Sequence, residues 1–125
     1  SLKNKKISIL GLTFKPDTDD LRSSPALDAI RLLTKKDVKI SVYDPIIKSK
    51  DSVKELSEQC QICFSLEDAL ENSDIALVFT KWEEFSSLNS DFLKKFMKNP
   101  VIIDGRGFLD SKKFDKGCLH RIGYF

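Results

Sequence analysis

The sequence predicts a three-layer α/β domain: a mainly parallel five-stranded sheet in the order 3-2-1-4-5 with helices on both faces. Three observations carry this. Short apolar runs recur between turn residues, segments with helical apolar spacing lie between those runs, and 125 residues with 41% apolar side chains suit one core. Strand alternating with helix implies parallel pairing through crossovers, and the right-handedness of such crossovers leaves few strand orders. One domain over residues 1–125 is therefore expected.

The first strand is expected at Ile7 to Leu10, where the apolar run ends at Gly11. Ser24 followed by Pro25 reads as a helix start, because a serine oxygen can accept from free amides and proline loses nothing at the first helical position. Ala26, Ala29, Ile30 and Leu33 then share one face, to about Thr34. A second strand is expected over Lys39 to Tyr43, ended by Asp44 and Pro45, with Ile40 and Val42 alternating with polar residues. Val53 and Leu56 suggest a short helix, and Gln61 to Phe64 a third strand. Ser65, with Asp68 three residues on, caps the helix that carries Leu66, Ala69 and Leu70, and Asn72 to Asp74 breaks it.

"IALVF", Ile75 to Phe79, is apolar at every position and is expected to be covered on both faces as the fourth strand. Asn89 or Ser90 caps a helix presenting Phe92, Leu93, Phe96 and Met97, stopped by Asn99 and Pro100. Val101 to Ile103 is the fifth strand, and Leu119 to Ile122 offers an edge strand.

In a sheet of this order ligands bind outside the carboxyl ends of the strands, where the chain reverses direction between the first strand and the fourth. The unusual segments all follow strand ends. "GLTFKPDTDDLRSSPA" (Gly11 to Ala26) follows the first, "TKWEEF" (Thr80 to Phe85) the fourth and "DGRG" (Asp104 to Gly107) the fifth. A long polar connection without obvious structure is uncommon unless it has a function. Lys15, Arg22 and Arg106 are candidate anion contacts, since an Arg fork holds two oxygens and Lys acts as a compact charge. Surface pairing of Lys15 and Arg22 with Asp17, Asp19 or Asp20 is an equal alternative on spacing alone. Asp19 and Asp20 read as solvated or bonded to turn amides rather than as an acid/base pair or a magnesium site.

Trp82 and Phe85 are expected to pack a helix end against the sheet. Cys60, Cys63 and Cys118 give one C-x-x-C without a second pair and read as ordinary thiols, so no metal site is expected. His120 has no partner with triad logic and reads as structural. Neither G-x-G-x-x-G nor a P-loop occurs. With 21 basic and 19 acidic side chains the net charge of +2 gives no case for nucleic acid or an anionic membrane. No run approaches the roughly 18 apolar residues of a membrane span, and a soluble, cytoplasmic chain is expected.

Taken in order, "GLTFKPDTDDLRSSPA", "VYDP" (Val42 to Pro45), "TKWEEF" and "IIDGRG" (Ile102 to Gly107) closely resemble the C-terminal domain of the UDP-glucose/GDP-mannose dehydrogenase family. The resemblance spans nearly the whole chain and implies a Rossmann-like fold. It further implies part of an NAD-dependent nucleotide-sugar 6-dehydrogenase that oxidises a C6 alcohol to a carboxylate through a cysteine-linked intermediate. Family members keep that cysteine and a GxGxxG Rossmann domain upstream, so this chain alone is expected to be inactive, with no catalytic residue of its own. By the same resemblance Phe14, Lys15 and Arg106 contact the nucleotide sugar and Arg22 approaches NAD. The implied partners are the nucleotide sugar and the N-terminal domain, in a full-length homodimer. A free-standing nucleotide-binding or regulatory module using the same crevice without catalysis is the alternative, and a flavodoxin-like domain a weaker one.

Overall fold

The structure is a computed structural model that describes residues 2–12, 24–48 and 53–122. Its six strands are β1 (Lys6–Leu10), β2 (Lys39–Tyr43), β3 (Gln61–Cys63), β4 (Ile75–Val78), β5 (Ile102–Asp104) and β6 (Leu119–Arg121). They pair in the order β3-β2-β1-β4-β5-β6, every neighbouring pair parallel. The expected order of the first five strands holds, and the tail supplies a sixth at the edge beside β5. A flavodoxin-like order, with the first strand between the second and third, is ruled out.

Four helices connect the strands: α1 (Pro25–Leu33), α2 (Lys54–Ser57), α3 (Leu66–Leu70) and α4 (Ser90–Phe96). Three begin where the sequence places a cap. Ser24 Oγ accepts from the Leu27 N–H at 3.4 Å, Ser65 Oγ from Asp68 at 3.1 Å and Asn89 Oδ1 from Phe92 at 2.8 Å. No described helix is long and apolar enough to cross a membrane.

The sheet separates two apolar layers. On one face Ile7, Ile9, Ile40, Val42 and Ile62 pack against Ala26 and Ile30 of α1 and against Val53 and Leu56 at α2. On the other face Leu10, Tyr43, Ala76, Val78 and Ile102 meet Leu66, Ala69 and Leu70 of α3 and Leu93 of α4. Right-handed crossovers explain the division: stepping outward from β1 to β3 puts α1 and α2 on one face, and stepping back through β4 to β5 puts α3 and α4 on the other. This corrects one expectation. Ala76 and Val78 of β4 are buried, but Ile75, Leu77 and the following Phe79 are only half-buried, because α1 and α2 lie over the other half of the sheet.

A second difference concerns the serines. The alternation in β2 suggested a polar face, yet Ser41 and its register partner Ser8 are fully buried under α3. Their hydroxyls donate to the Ala69 carbonyl at 2.6 and 2.5 Å, with Ser73 adding a third bond at 3.2 Å. Ala69 lies in the last turn of a five-residue helix, where carbonyls have no partner within the helix. The third difference is that β5 begins one residue later than expected and keeps Asp104, which pairs with Val78.

Candidate functional site

The strand order reverses between β1 and β4, and the carboxyl exits of these strands, flanked by those of β2 and β5, form the candidate site. Pairing continues past the strands: the Gly11 N–H donates to the Tyr43 carbonyl at 2.8 Å, Phe79 to Leu10 at 2.9 Å and Gly105 to Val78 at 3.0 Å. Gly11 has φ +92°, and a Cβ there would lie 2.6 Å from the Thr80 side chain. Only glycine lets the two central exits approach so closely.

Two buried carboxylates shape the exits. Asp44, 1% exposed, follows β2. Its Oδ2 accepts from the Leu12 N–H at 2.7 Å and from the Trp82 indole N–H at 3.2 Å, while Oδ1 accepts from Ile46 at 3.0 Å. Asp104, fully buried, ends β5 and folds its carboxylate into the turn that follows. Its Oδ1 accepts from the Arg106 N–H at 2.9 Å, and Oδ2 accepts from Phe108 at 2.6 Å and Leu109 at 2.7 Å. The "DGRG" turn is thus built around its own aspartate, with Gly107 at φ +64° allowing the bend. The Arg121 guanidinium donates to the Leu109 carbonyl and ties β6 to the same turn.

Below Trp82 a 3-10 helix, Glu83–Ser87, seats Phe85 fully in the core and packs Trp82 at its margin, as the sequence suggested. Tyr43 lies beside Phe85 with ring centroids 6.2 Å apart, and its hydroxyl donates to Glu84 Oε1 at 2.6 Å. Burial, reinforced by Glu84, holds the Tyr43 hydroxyl protonated well above its ordinary range.

Of the residues singled out as contacts, Arg106 sits half-buried on the Asp104-braced turn at the β5 exit. Phe14, Lys15 and Arg22, and with them Asp17, Asp19 and Asp20, lie outside the described residues. The roots of their segment are described. The Leu12 N–H is held by Asp44, and the Ser24 hydroxyl donates to the Leu12 carbonyl while capping α1, so the two described residues that flank 13–23 are hydrogen-bonded to each other. Asp44 and Asp104 are the site-shaping residues that sequence reasoning passed over. The available signal was an acidic residue closing each of two apolar strands, in "VYDP" and "IIDGRG".

The amides of Arg106, Phe108 and Leu109 are occupied by Asp104, so these three N–H groups form no free cradle for an anion at this exit. Elsewhere the chemistry is quiet. Cys60, Cys63 and Cys118 are buried free thiols, burial pushing Cys60 up to about 11, and His120 is exposed with Nε2 3.0 Å from the Gly117 carbonyl. Among the described residues no group of His, Cys, Asp and Glu is arranged to hold a metal ion.

Residues 8–111, from within β1 to the turn beyond "DGRG", match the family model described as "UDP-glucose/GDP-mannose dehydrogenase family, UDP binding domain". The chain belongs to the UDP-glucose/GDP-mannose dehydrogenase family. It is 39% identical over 117 residues to a UDP-glucose 6-dehydrogenase of Rickettsia conorii, covering 92% of this chain and 27% of that protein. It is 38% identical over 125 residues to one of Bacillus subtilis, covering 98% and 27%. Among solved structures, the NDP-N-acetyl-D-galactosaminuronic acid dehydrogenase of Methanosarcina mazei superposes with a TM-score of 0.78 at 29% identity, over 98% of this chain and 25% of that one. The chain thus spans about a quarter of the length of these dehydrogenases.

Proposed function

We propose that this family member is the C-terminal, nucleotide-sugar-binding domain of an NAD-dependent nucleotide-sugar 6-dehydrogenase. The observation that carries the reading is the coincidence of the family's UDP-binding match with a switch-point crevice. At that crevice an aspartate-braced turn presents Arg106, and the segment bearing Phe14 and Lys15 is rooted beside it.

In this reading Lys15 and Arg106 neutralise the diphosphate and Phe14 contacts the nucleotide sugar, while Arg22 reaches toward NAD. Two molecules of NAD, bound in succession, would supply the hydride acceptor for the four-electron oxidation of the C6 alcohol to a carboxylate. The fit to this chain is partial: no glycine-rich phosphate loop is present to hold a dinucleotide, and Arg22 is the one group here assigned toward NAD. The cysteine nucleophile and the dinucleotide-binding half belong to the N-terminal part of the enzyme, a homodimer working in the cytoplasm on precursors of surface polysaccharide. This domain's share is to clamp the substrate and exclude water from the hydride transfer.

Calorimetric titration of the chain tests the reading. UDP-glucose, a UDP-N-acetyl sugar or GDP-mannose should bind, and Lys15→Ala and Arg106→Ala should each weaken binding by about tenfold, as expected for losing one charge-assisted phosphate contact. Absence of binding to all three, or unchanged affinity in both variants, overturns it.

A further inference from the structure

We propose that Asp44 is a positioning residue that fixes the ligand segment at its root by joining the two lips of the crevice. The inference rests on the reading of Phe14 and Lys15 as substrate contacts, and it concerns a residue to which that reading gives no contact with substrate or cofactor.

Three features assign the role. First, Asp44 is itself fixed: Oδ1 accepts from the Ile46 N–H two residues on, an Asx-type turn that orients the carboxylate. Second, the other oxygen is shared by donors from opposite sides of the crevice, the Leu12 amide at the β1 exit and the Trp82 indole at the β4 exit. Third, Leu12 is gripped at both polar groups, its N–H by Asp44 and its carbonyl by the Ser24 hydroxyl. Phe14 and Lys15 follow within three residues, so the Leu12 amide is the described anchor nearest to them in the chain.

The chemistry requires a carboxylate. Asp44 offers acceptors only, at a place where three N–H groups converge and which is shielded from water. In Asp44→Asn one oxygen becomes an NH2, and at least one converging donor faces another donor. Asp44 is thus the link through which the Trp82 side of the crevice senses the ligand segment. Trp82 is the single tryptophan of the sequence, so its indole resonance reports on that link without ambiguity.

A residue that only stabilises the fold would give a different result, and Ser8→Ala supplies the contrast. It removes a buried hydrogen bond beneath α3, away from the strand exits. In the parent chain, Asp44→Asn, Trp82→Phe and Ser8→Ala, three quantities are measured: thermal midpoint, UDP-glucose affinity, and in the absence of ligand the hydrogen exchange of the Leu12 amide.

Asp44→Asn should lower affinity by about tenfold or more relative to Ser8→Ala, the scale of one charge-assisted hydrogen bond, and should speed Leu12 exchange. Trp82→Phe keeps the acceptor for Leu12 but removes the second donor that holds Asp44 Oδ2 in place, so it should lose about threefold in affinity and speed Leu12 exchange less than Asp44→Asn does. Equal affinities in Asp44→Asn and Ser8→Ala overturn the proposal. If Asp44→Asn does not fold, unchanged affinity in Trp82→Phe does so. If the parent binds no nucleotide sugar, the functional reading fails, and Leu12 exchange decides this one: selective acceleration in Asp44→Asn, or in Trp82→Phe where Asp44→Asn does not fold, supports it. Identical exchange in every folded variant overturns it.

Discussion

Two buried polar clusters divide the work of this domain. Between the sheet and α3, Ser8, Ser41 and Ser73 surround one helix-end carbonyl, that of Ala69. At the strand exits, among the described residues, Asp44 and Asp104 each gather three N–H groups from chain that has just left the sheet. A hydroxyl both donates and accepts, so neutral serines satisfy a carbonyl and one another with no charge to desolvate, and they fasten a helix to strands. A carboxylate only accepts, but it accepts several N–H groups with charge assistance, and it defines the course of irregular backbone. Hydroxyls secure the scaffold, and carboxylates shape the surface where ligand is expected.

This contrast can be broken most forcefully at the point where the exits touch. Gly11→Ala adds a Cβ 2.6 Å from Thr80 on a backbone with φ +92°. The combined steric and backbone strain should destabilise the chain by about 3 kcal/mol or more, read from urea unfolding. A near-neutral result would mean that the two exits are looser than their contacts imply.

Among the described residues, the double substitution Ser8→Ala, Ser41→Ala leaves the Ala69 carbonyl the 3.2 Å bond from Ser73. It should cost about 2 to 3 kcal/mol while nucleotide-sugar affinity stays within about twofold. Lost affinity at unchanged stability would erase the distinction between the clusters.

Cys60 provides the smallest test, a buried group outside both clusters. Burial holds its thiol protonated up to about 11 in the folded chain, against 9.0 for the ordinary group. The unfolded chain ionises first, so this contribution is intact below pH 9 and declines as pH rises toward 11, by up to about 1.4 kcal/mol per pH unit. Tyr43, protected by burial and by Glu84, adds its own loss only above pH 10. Cys60→Ala should therefore flatten urea stability between pH 9 and 10, and an unchanged slope there would assign the alkaline loss to other groups.

Much of this arrangement was legible in the sequence because it is local. Ser24, Ser65 and Asn89 stand one residue before their helices, and each accepts from the amide three positions on. Strand order followed from alternation and handedness. What escaped was non-local. The burial of Ser41 was not readable from the alternation in β2, because the carbonyl it bonds belongs to Ala69, far along the chain. The α1 side of β4 looked covered because its apolar run carries no sign of which half of the sheet α1 and α2 occupy. Asp104 looked like the first residue of the turn after the fifth strand, although it remains in the ladder opposite Val78 while its carboxylate organises that turn. For the candidate site, the positions of "TKWEEF" and "DGRG" at strand exits were readable, but the role of Asp44 depends on Leu12 and Trp82, partners that only the folded sheet brings together.

The hydrogen bond from the Ser24 hydroxyl to the Leu12 carbonyl ties the start of α1 directly to the exit of β1. A strand and a helix joined at that point hold each other through contacts of their own.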